Sequence, residues 1–405
     1  MKKLTHIFKG DKVIWIIFIL LSIVSLIAVY SAIGRTAVVH GSTPLKAFAK
    51  HALFIAGAYI LILITSNIDY RRFSRISQVA YILIVGLLAY MLITKQGRWI
   101  NLRFFQFQPS EFAKVILIVL VARVMAVNQS TIQDASLYRK LLVVVLVVCG
   151  LILPENLSTF LILFVTCFIM MRFGGVNTKL WNYSLAVLLV AAAIGGLMMA
   201  SSYNAFTQGE EAGLLSRSST WGHRIHSWLN PNPEELTQEN MARMAVASGG
   251  FLGVGVGNTV HARLMTQADN DFIYSIIIEE TGSATAIILL IVYCIFFFRC
   301  LWWANQCKGL FGSLILIGCS TLIFLQAAVH MCVSVGALPV TGQTLPLISS
   351  GGSAYLSMGL AIGAIQSVIN DIMSAEKARQ DKIRSDAEFT ELQELDKRIN
   401  NADAQ

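Results

Sequence analysis

Two groups of ionisable side chains interrupt the apolar stretches of this chain, and both could do chemistry. Asp271 stands where a polar segment, about residues 201 to 270, enters an apolar run that reaches Phe298. A carboxylate at that junction can accept a proton from a hydroxyl as a general base. It can equally cap the following helix, because Asp is a preferred N-cap and suits the positive helix end. Glu111 and Lys114 lie three residues apart just after Pro109, so they share one face of the helix that Pro109 can open. An ionisable pair in an apolar segment is costly; it marks either a site or an ion pair that holds helices together.

Polar residues of other types gather in three segments, about 95–109, 201–271 and 334–352. The first carries Gly97-Arg98-Trp99-Ile100. The second carries Arg224 in Trp221-Gly222-His223-Arg224-Ile225-His226, a pattern suited to a helix lying in a membrane interface. It continues through the turn-forming Asn230-Pro231-Asn232-Pro233 to Gln238, Gly249-Gly250, Gly253, Gly255, Gly257 and Arg263. These glycines lack the strand and βαβ unit of a dinucleotide fingerprint, and the Thr of a potassium filter. They suit a flexible hinge or close helix packing. The third segment holds Thr341, Ser349 and Ser350 among Pro339, Pro346, Gly336, Gly342, Gly351 and Gly352. Broken backbone at membrane depth is tolerated where it is buried in protein or lines a watery cavity, and its hydroxyls and amides suit a sugar or phosphate. His223, His226 and His261 have no metal-ligand spacing, so no metal site is expected. The seven cysteines are scattered singly and read as small apolar residues.

The elements that must position these groups are membrane helices. Of the 405 residues, 56% are hydrophobic and 13% charged, about half the charge of an average soluble domain. The apolar runs predict an all-α polytopic membrane protein with about ten transmembrane helices, near 13–33, 48–67, 77–94, 110–127, 141–154, 159–172, 181–200, 272–299, 311–333 and 353–371. A large extracytoplasmic loop separates the seventh from the eighth. Residues 1–374 form the transmembrane domain and 375–405 a polar cytoplasmic tail, a solvated helix or disorder. Lys and Arg crowd one set of connections (Lys2, Lys3, Lys9, Lys12, Arg71, Arg72, Arg75, Arg139, Lys140) and are sparse on the other (Arg35, Lys46, Lys95, Arg98, Arg103). The positive-inside rule then puts both termini in the cytoplasm and the three polar segments outside. The net charge of +8 reads as membrane orientation, with no nucleic acid implied.

The three outer segments together resemble the SEDS family, that of FtsW, RodA and their sporulation relative SpoVE. The family's Arg-Trp-Ile and Gln-Pro-Ser-Glu-x-x-Lys pattern matches Gly97 to Lys114. Its Gly-rich run and Asp-Phe-Ile-Phe-x-x-x-x-Glu-Glu match Gly249 to Glu280, with Tyr274 for Phe. Its Leu-Pro-x-Thr-Gly-x-x-Leu-Pro-Phe-x-Ser-x-Gly-Gly-Ser matches Leu338 to Ser353, with Leu347 for Phe. Gln238 falls where the family has Gly-Tyr-Gln. Two patterns depart: Met265-Thr266-Gln267-Ala268-Asp269-Asn270 replaces Leu-Pro-Glu-Ala-His-Thr, and Glu155-Asn156-Leu157-Ser158-Thr159 replaces Pro-Asp-Leu-Gly-Thr. Roles of the missing His, Glu and Asp do not carry over. The compact chain and short tail look more like the FtsW branch.

The resemblance implies a peptidoglycan glycosyltransferase that polymerises lipid II, an undecaprenyl-diphosphate-linked disaccharide pentapeptide, at the outer face of the bacterial cytoplasmic membrane during cell division. It implies Asp271 as the catalytic residue. Arg98, Glu111, Lys114, Arg224, Gln238, Arg263, Thr341, Ser349 and Ser350 are the substrate-binding candidates, and a divalent cation, Mg or Mn, could share the charge on the diphosphates. The implied partners are a class B penicillin-binding protein and other divisome proteins. Two readings from other classes stay open: a lipid II flippase, which a multi-span body with an ionisable pair at Glu111 and Lys114 would suit, and a non-catalytic division scaffold in which Asp271 is only a cap.

Overall fold

The computed structural model describes residues 9–39, 43–94, 97–101, 106–190, 216–230, 235 and 237–402. Helices stand at each of the ten expected positions: α1 (Lys12–Val39), α2 (Pro44–Asn67), α3 (Tyr70–Thr94), α4 (Pro109–Val127), α5 (Ala135–Ile152), α6 (Leu157–Phe173), α7 (helical over 178–190), α10 (Ile273–Gln306), α11 (Leu310–Ser334) and α12 (Gly352–Ala402). Two further helices, α8 (Ser216–Leu229) and α9 (Gln238–Gly249), lie between α7 and α10. The Pro231–Pro233 turns fall outside the described residues. Among the described residues seven helices are long and apolar enough to cross a membrane; α4 carries Glu111, Lys114 and Arg123, and α6 is shorter. The chain is a multi-pass, all-α membrane protein. Its described strands form one two-residue hairpin ladder, β1 (Ile100–Asn101) against β2 (Gln106–Phe107), which delivers the chain to α4.

Helix packing follows small residues. A Cβ added at Gly359 would lie 3.1 Å from the Ala58 backbone, and one at Gly363 2.7 Å from Thr65. Bare Cα atoms thus let α12 and α2 approach closely, the usual device between helices in lipid. The fifth helix starts at Ala135, six residues before the expected 141, because polar Tyr138, Arg139 and Lys140 are still helix formers although they interrupt the apolar run. Asn156 caps α6, its Oδ1 accepting from Ser158 and Thr159 N–H at 3.1 Å. The Asn that replaces the resembled family's Asp therefore keeps a capping role. At the other end α12 runs unbroken to Ala402, so residue 374 marks a change of composition with no break in the backbone.

The eighth span differs most from expectation. A straight run over 272–299 is expected, but Gly282 has φ 81° and ψ 171° in the middle of α10, a conformation open essentially to Gly alone. Tyr274 Oη donates to Ala286 O at 3.0 Å. In a continuous helix those residues would stand about 18 Å apart along the axis. The chain therefore folds back at Gly282, and the limb 273–281 lies beside the limb 283–306. The glycine run packs on this apex: a Cβ at Gly249 would sit 2.1 Å from Ile278 O, and one at Gly253 2.2 Å from Glu280 O. Backbone bonds Val254 N to Glu279 O (2.9 Å), Gly255 N to Glu280 O (2.9 Å) and Ser283 N to Gly250 O (3.0 Å) close the joint. At Gly249 and Gly253 the structure selects close packing over a hinge.

Candidate active site

Asp271 does not cap α10. Phe272 occupies the N-cap position, with no side-chain cap bond. The Asp271 N–H instead donates back to Gln267 O at 3.0 Å, which closes a turn and turns the side chain loose from the helix end. The carboxylate faces the third polar segment. A Cβ at Gly342 would lie 3.8 Å from Asp271 Oδ2 and 4.0 Å from Arg98 Nη1, so a glycine there keeps this spot open. Part of the residue reaches the surface, but its carboxylate sits in a crowded shell. Burial pushes the carboxyl up to about 6, while Arg98 and Arg224 pull it down and Asp269 pushes it further up. Among the described residues no cation closes to ion-pair distance of Asp271. The group is thus ionised near neutrality, not committed to a salt bridge, and able to accept a proton.

Its position is set by the loop between α11 and α12. Ser349 Oγ donates to Asn270 O at 2.7 Å and accepts from Leu345 N–H at 2.8 Å. Ser350 N–H donates to Asp269 O at 2.9 Å. Ser349 is buried and its hydroxyl is spent on backbone. This corrects its expected place in a substrate contact: it braces the Asp271 turn. Ser350 acts through its backbone and is half-buried, as is Thr341. The brace is itself pinned from below. Ser25 Oγ donates to Ile348 O at 2.7 Å, Tyr293 Oη to Pro346 O, and Tyr355 Oη to Leu347 O at 2.5 Å. Leu347 has φ 66°, an uncommon conformation that a non-glycine residue holds only when its surroundings over-determine it.

Arg98 is exposed, on the approach to β1. Arg224 reaches from α8 and donates to Val340 O at 3.3 Å, beside Thr341. These two cations, Asp271, Thr341 and Gly342 meet at one place although they come from three distant parts of the chain. Gln238 and Arg263 belong to a different neighbourhood. Gln238 opens α9 and donates to Thr266 Oγ1 at 2.7 Å, five residues before Asp271. Arg263 ends a single 3-10 turn, His261–Arg263, and is exposed.

Glu111 and Lys114 make the expected pair, 2.9 Å apart, but side-chain exposures of 6% and 1% place it inside the protein. Lys114 Nζ also donates to Gln326 Oε1 at 3.0 Å, and Gln326 Nε2 donates to Thr344 O at 3.1 Å and Thr344 Oγ1 at 3.3 Å. Ser357 Oγ donates to Glu111 Oε2 at 3.4 Å. One turn along α11, His330 Nδ1 donates to Gln343 O at 2.7 Å, and Gln343 Nε2 donates to Thr159 Oγ1 at 2.8 Å. The pair therefore supports residues 343–344, next to Gly342. Sequence reasoning missed Gln326 and His330. Their signal was present: two polar side chains four apart on one face of an otherwise apolar span.

A second missed group fixes the approach to the site. Glu279 accepts from Thr259 Oγ1, from Val260 N–H at 3.0 Å and from His261 Nδ1 at 2.8 Å, and Glu280 accepts from Gly257 N–H at 3.1 Å. Both carboxylates are buried and hold the strand of residues that leads to Asp271. His261 is thus paired with a carboxylate. Among the described residues no group of three His, Cys, Asp or Glu side chains converges as a metal-ligand set would.

Known proteins share the sequence pattern and the fold. Residues 11–372 match the cell cycle protein family of FtsW, RodA and SpoVE. A probable peptidoglycan glycosyltransferase FtsW of Enterococcus hirae is 28% identical over 381 residues, 88% of this chain and 91% of that protein. The stage V sporulation protein E of Bacillus subtilis is 28% identical over 372 residues, 88% of this chain and 96% of that one. Among solved structures, a chain from a study of how a peptidoglycan synthase complex coordinates polymerization and crosslinking superimposes with TM-score 0.67 at 22% identity, covering 88% of this chain and 97% of that one. The rod shape determining protein RodA of Thermus thermophilus superimposes with TM-score 0.61 at 21% identity, covering 87% and 96%. With the fold shared along nearly its whole length and the family matched from Asp11 to Ile372, the chain belongs to the FtsW, RodA and SpoVE family of cell cycle proteins.

Proposed function

We propose that this protein is a peptidoglycan glycosyltransferase that polymerises lipid II in cell division. The observation that carries the reading is Asp271: a carboxylate released from capping, raised to about 6 by burial, and set beside two arginines and an open glycine. The Enterococcus hirae relative is named a probable peptidoglycan glycosyltransferase.

The reaction joins two lipid-linked disaccharides. The 4-hydroxyl of an acceptor GlcNAc attacks the anomeric carbon of the donor, the new C–O bond forms as the bond to the diphosphate breaks, and the electron pair leaves with the undecaprenyl diphosphate. Asp271 takes the hydroxyl proton, which requires its ionised form within hydrogen-bond reach. Arg98 and Arg224 supply positive charge where the diphosphate develops negative charge. They also hold the carboxylate ionised near neutrality against the effect of burial. Arg263, exposed on the neighbouring turn, and Gln238 suit a more distant part of the substrate. A divalent cation, Mg or Mn, would share the charge on the diphosphate, held by its oxygens with one or two carboxylates.

The reading extends to the setting. The protein lies in the bacterial cytoplasmic membrane with both termini inside and its ten apolar helices spanning, and its partner is a class B penicillin-binding protein among other divisome proteins. The basic-residue asymmetry supports the orientation. Reconstitution in proteoliposomes with lipid II, with and without that partner, tests the function. Glycan polymer is the expected product. Translocation of a reporter lipid without polymer would establish a flippase, and neither activity would leave a scaffold.

A further inference from the structure

The glycine run carries side chains that the site does not use. Phe251 and Leu252 are 69% and 80% exposed, and Val254 and Val256 are exposed beside them. No charged residue stands between Arg243 and His261. Exposed apolar clusters of this kind call for an occupant, and the packing of the run says at what level that occupant lies.

The level is read along α10. Arg299 stacks its guanidinium on Trp302 at 4.5 Å and lies 5.7 Å from Trp303, the pairing of basic and aromatic side chains that marks one edge of the hydrocarbon. From Arg299 the helix climbs to the fold-back apex at Gly282, a rise of about 25 Å at 1.5 Å per residue against a hydrocarbon core about 30 Å thick, so the apex lies just inside the opposite edge. The run is bonded to the apex, through Ser283 N to Gly250 O at 3.0 Å and Ala284 N to Phe251 O at 3.4 Å. Below the apex, Ile287, Ile288, Ile291 and Ile295 form an exposed ridge on α10, the surface a spanning helix gives to lipid. Between the ridge and the run stand the half-exposed Thr281, Ser283 and Thr285, and the Thr281 and Thr285 hydroxyls bond to backbone carbonyls of the same helix.

We propose that residues 250–256 form a membrane-inserted lip whose Phe251, Leu252, Val254 and Val256 side chains lie among acyl chains of the leaflet on the Asp271 side. Part of its backbone meets the requirement of that environment: the Gly253, Val254 and Gly255 N–H groups and the Gly250, Phe251 and Gly255 C=O groups bond to α9, α10 or Asn258. The lip then anchors the whole segment from α9 to Asp271: Glu279 and Glu280 bind residues 257–261 on the same apex. This inference is independent of the polymerase reading.

The test uses the full chain in phospholipid nanodiscs. In a background without the seven native cysteines, spin labels are placed singly by Phe251→Cys, Leu252→Cys and Val256→Cys. Ile291→Cys is the lipid reference and Glu388→Cys the aqueous one. The labels on the run should relax with oxygen as at Ile291 and be shielded from an aqueous nickel chelate. Relaxation by the chelate as at Glu388 overturns the proposal, and so does shielding from both agents, which would mean cover by protein. In the unaltered protein, a phospholipid with an acyl-chain diazirine should label the peptide 250–256. Labelling of 287–295 with none on 250–256 overturns it equally.

Discussion

Asp271 and Glu111 are both carboxylates held near the break between α11 and α12, yet their surroundings are opposite. Glu111 is committed: Lys114 bonds to it at 2.9 Å, Ser357 Oγ lies 3.4 Å away, and it is buried. A carboxylate so committed cannot exchange protons with a substrate without losing its partners, which suits a brace. Asp271 has cations near it and, among the described residues, none at ion-pair distance, with one glycine holding space beside it. Chemistry needs that incompleteness, because a fully satisfied group has already spent the interactions a transition state would use. The comparison also moves the expectation for the pair. Spacing alone left site and brace open; burial and the chain from Lys114 through Gln326 to Thr344 favour the brace.

The comparison breaks most sharply at Asp271. Asn is nearly isosteric and the N-cap lies at Phe272, so Asp271→Asn should leave expression and thermal stability unchanged. The loss of a general base should lower polymerisation by roughly 10²–10⁴-fold. Near wild-type polymer from a well-folded variant would remove Asp271 from catalysis.

Lys114→Ala should act through folding. It leaves Glu111 buried and unpaired, at a cost of roughly 3–5 kcal/mol, so the level of protein in the membrane should fall with activity. Lys114→Met combined with Glu111→Gln should restore the level. A Lys114→Ala variant that accumulates and melts normally yet makes no polymer would assign the pair to the substrate instead.

Arg98→Ala sharpens the description of the site. Asp271 works ionised, so activity is present above its titration and lost as pH falls through it. Arg98 pulls that titration down; without it the acid limb of the pH–rate profile should move to higher pH, with slower turnover at the plateau. An unmoved limb would mean that Asp271 does not control it. Asp269→Asn should give the smallest effect and the opposite sign, since Asp269 pushes the titration up. Its acid limb should move slightly to lower pH with most activity kept. Should Asp269→Asn be the inactive variant and Asp271→Asn the active one, the base is Asp269.

Much of this molecule is written locally in its sequence. Apolar run length set the helices, because lipid leaves a spanning backbone little choice but to bond within itself. Pro109 and the i, i+3 spacing set the Glu111–Lys114 contact, since helix geometry brings those positions together whatever surrounds them. Asp271 was singled out by its place at a polar-to-apolar junction. What only the tertiary structure decided was the state of these groups. Whether Asp271 caps or stands free depended on a one-residue shift of the helix start. Its convergence with Arg98, Arg224 and Gly342 joins segments that share no local pattern. The fold-back at Gly282 needed the α9 run to fill its outer side with bare backbone; the sequence shows a polar break there, Glu279-Glu280-Thr281-Gly282-Ser283, but a break by itself does not say that the chain turns back. Burial, which makes one carboxylate a brace and the other a base, is a property of neighbours, and neighbours far apart in the chain are chosen only when it folds.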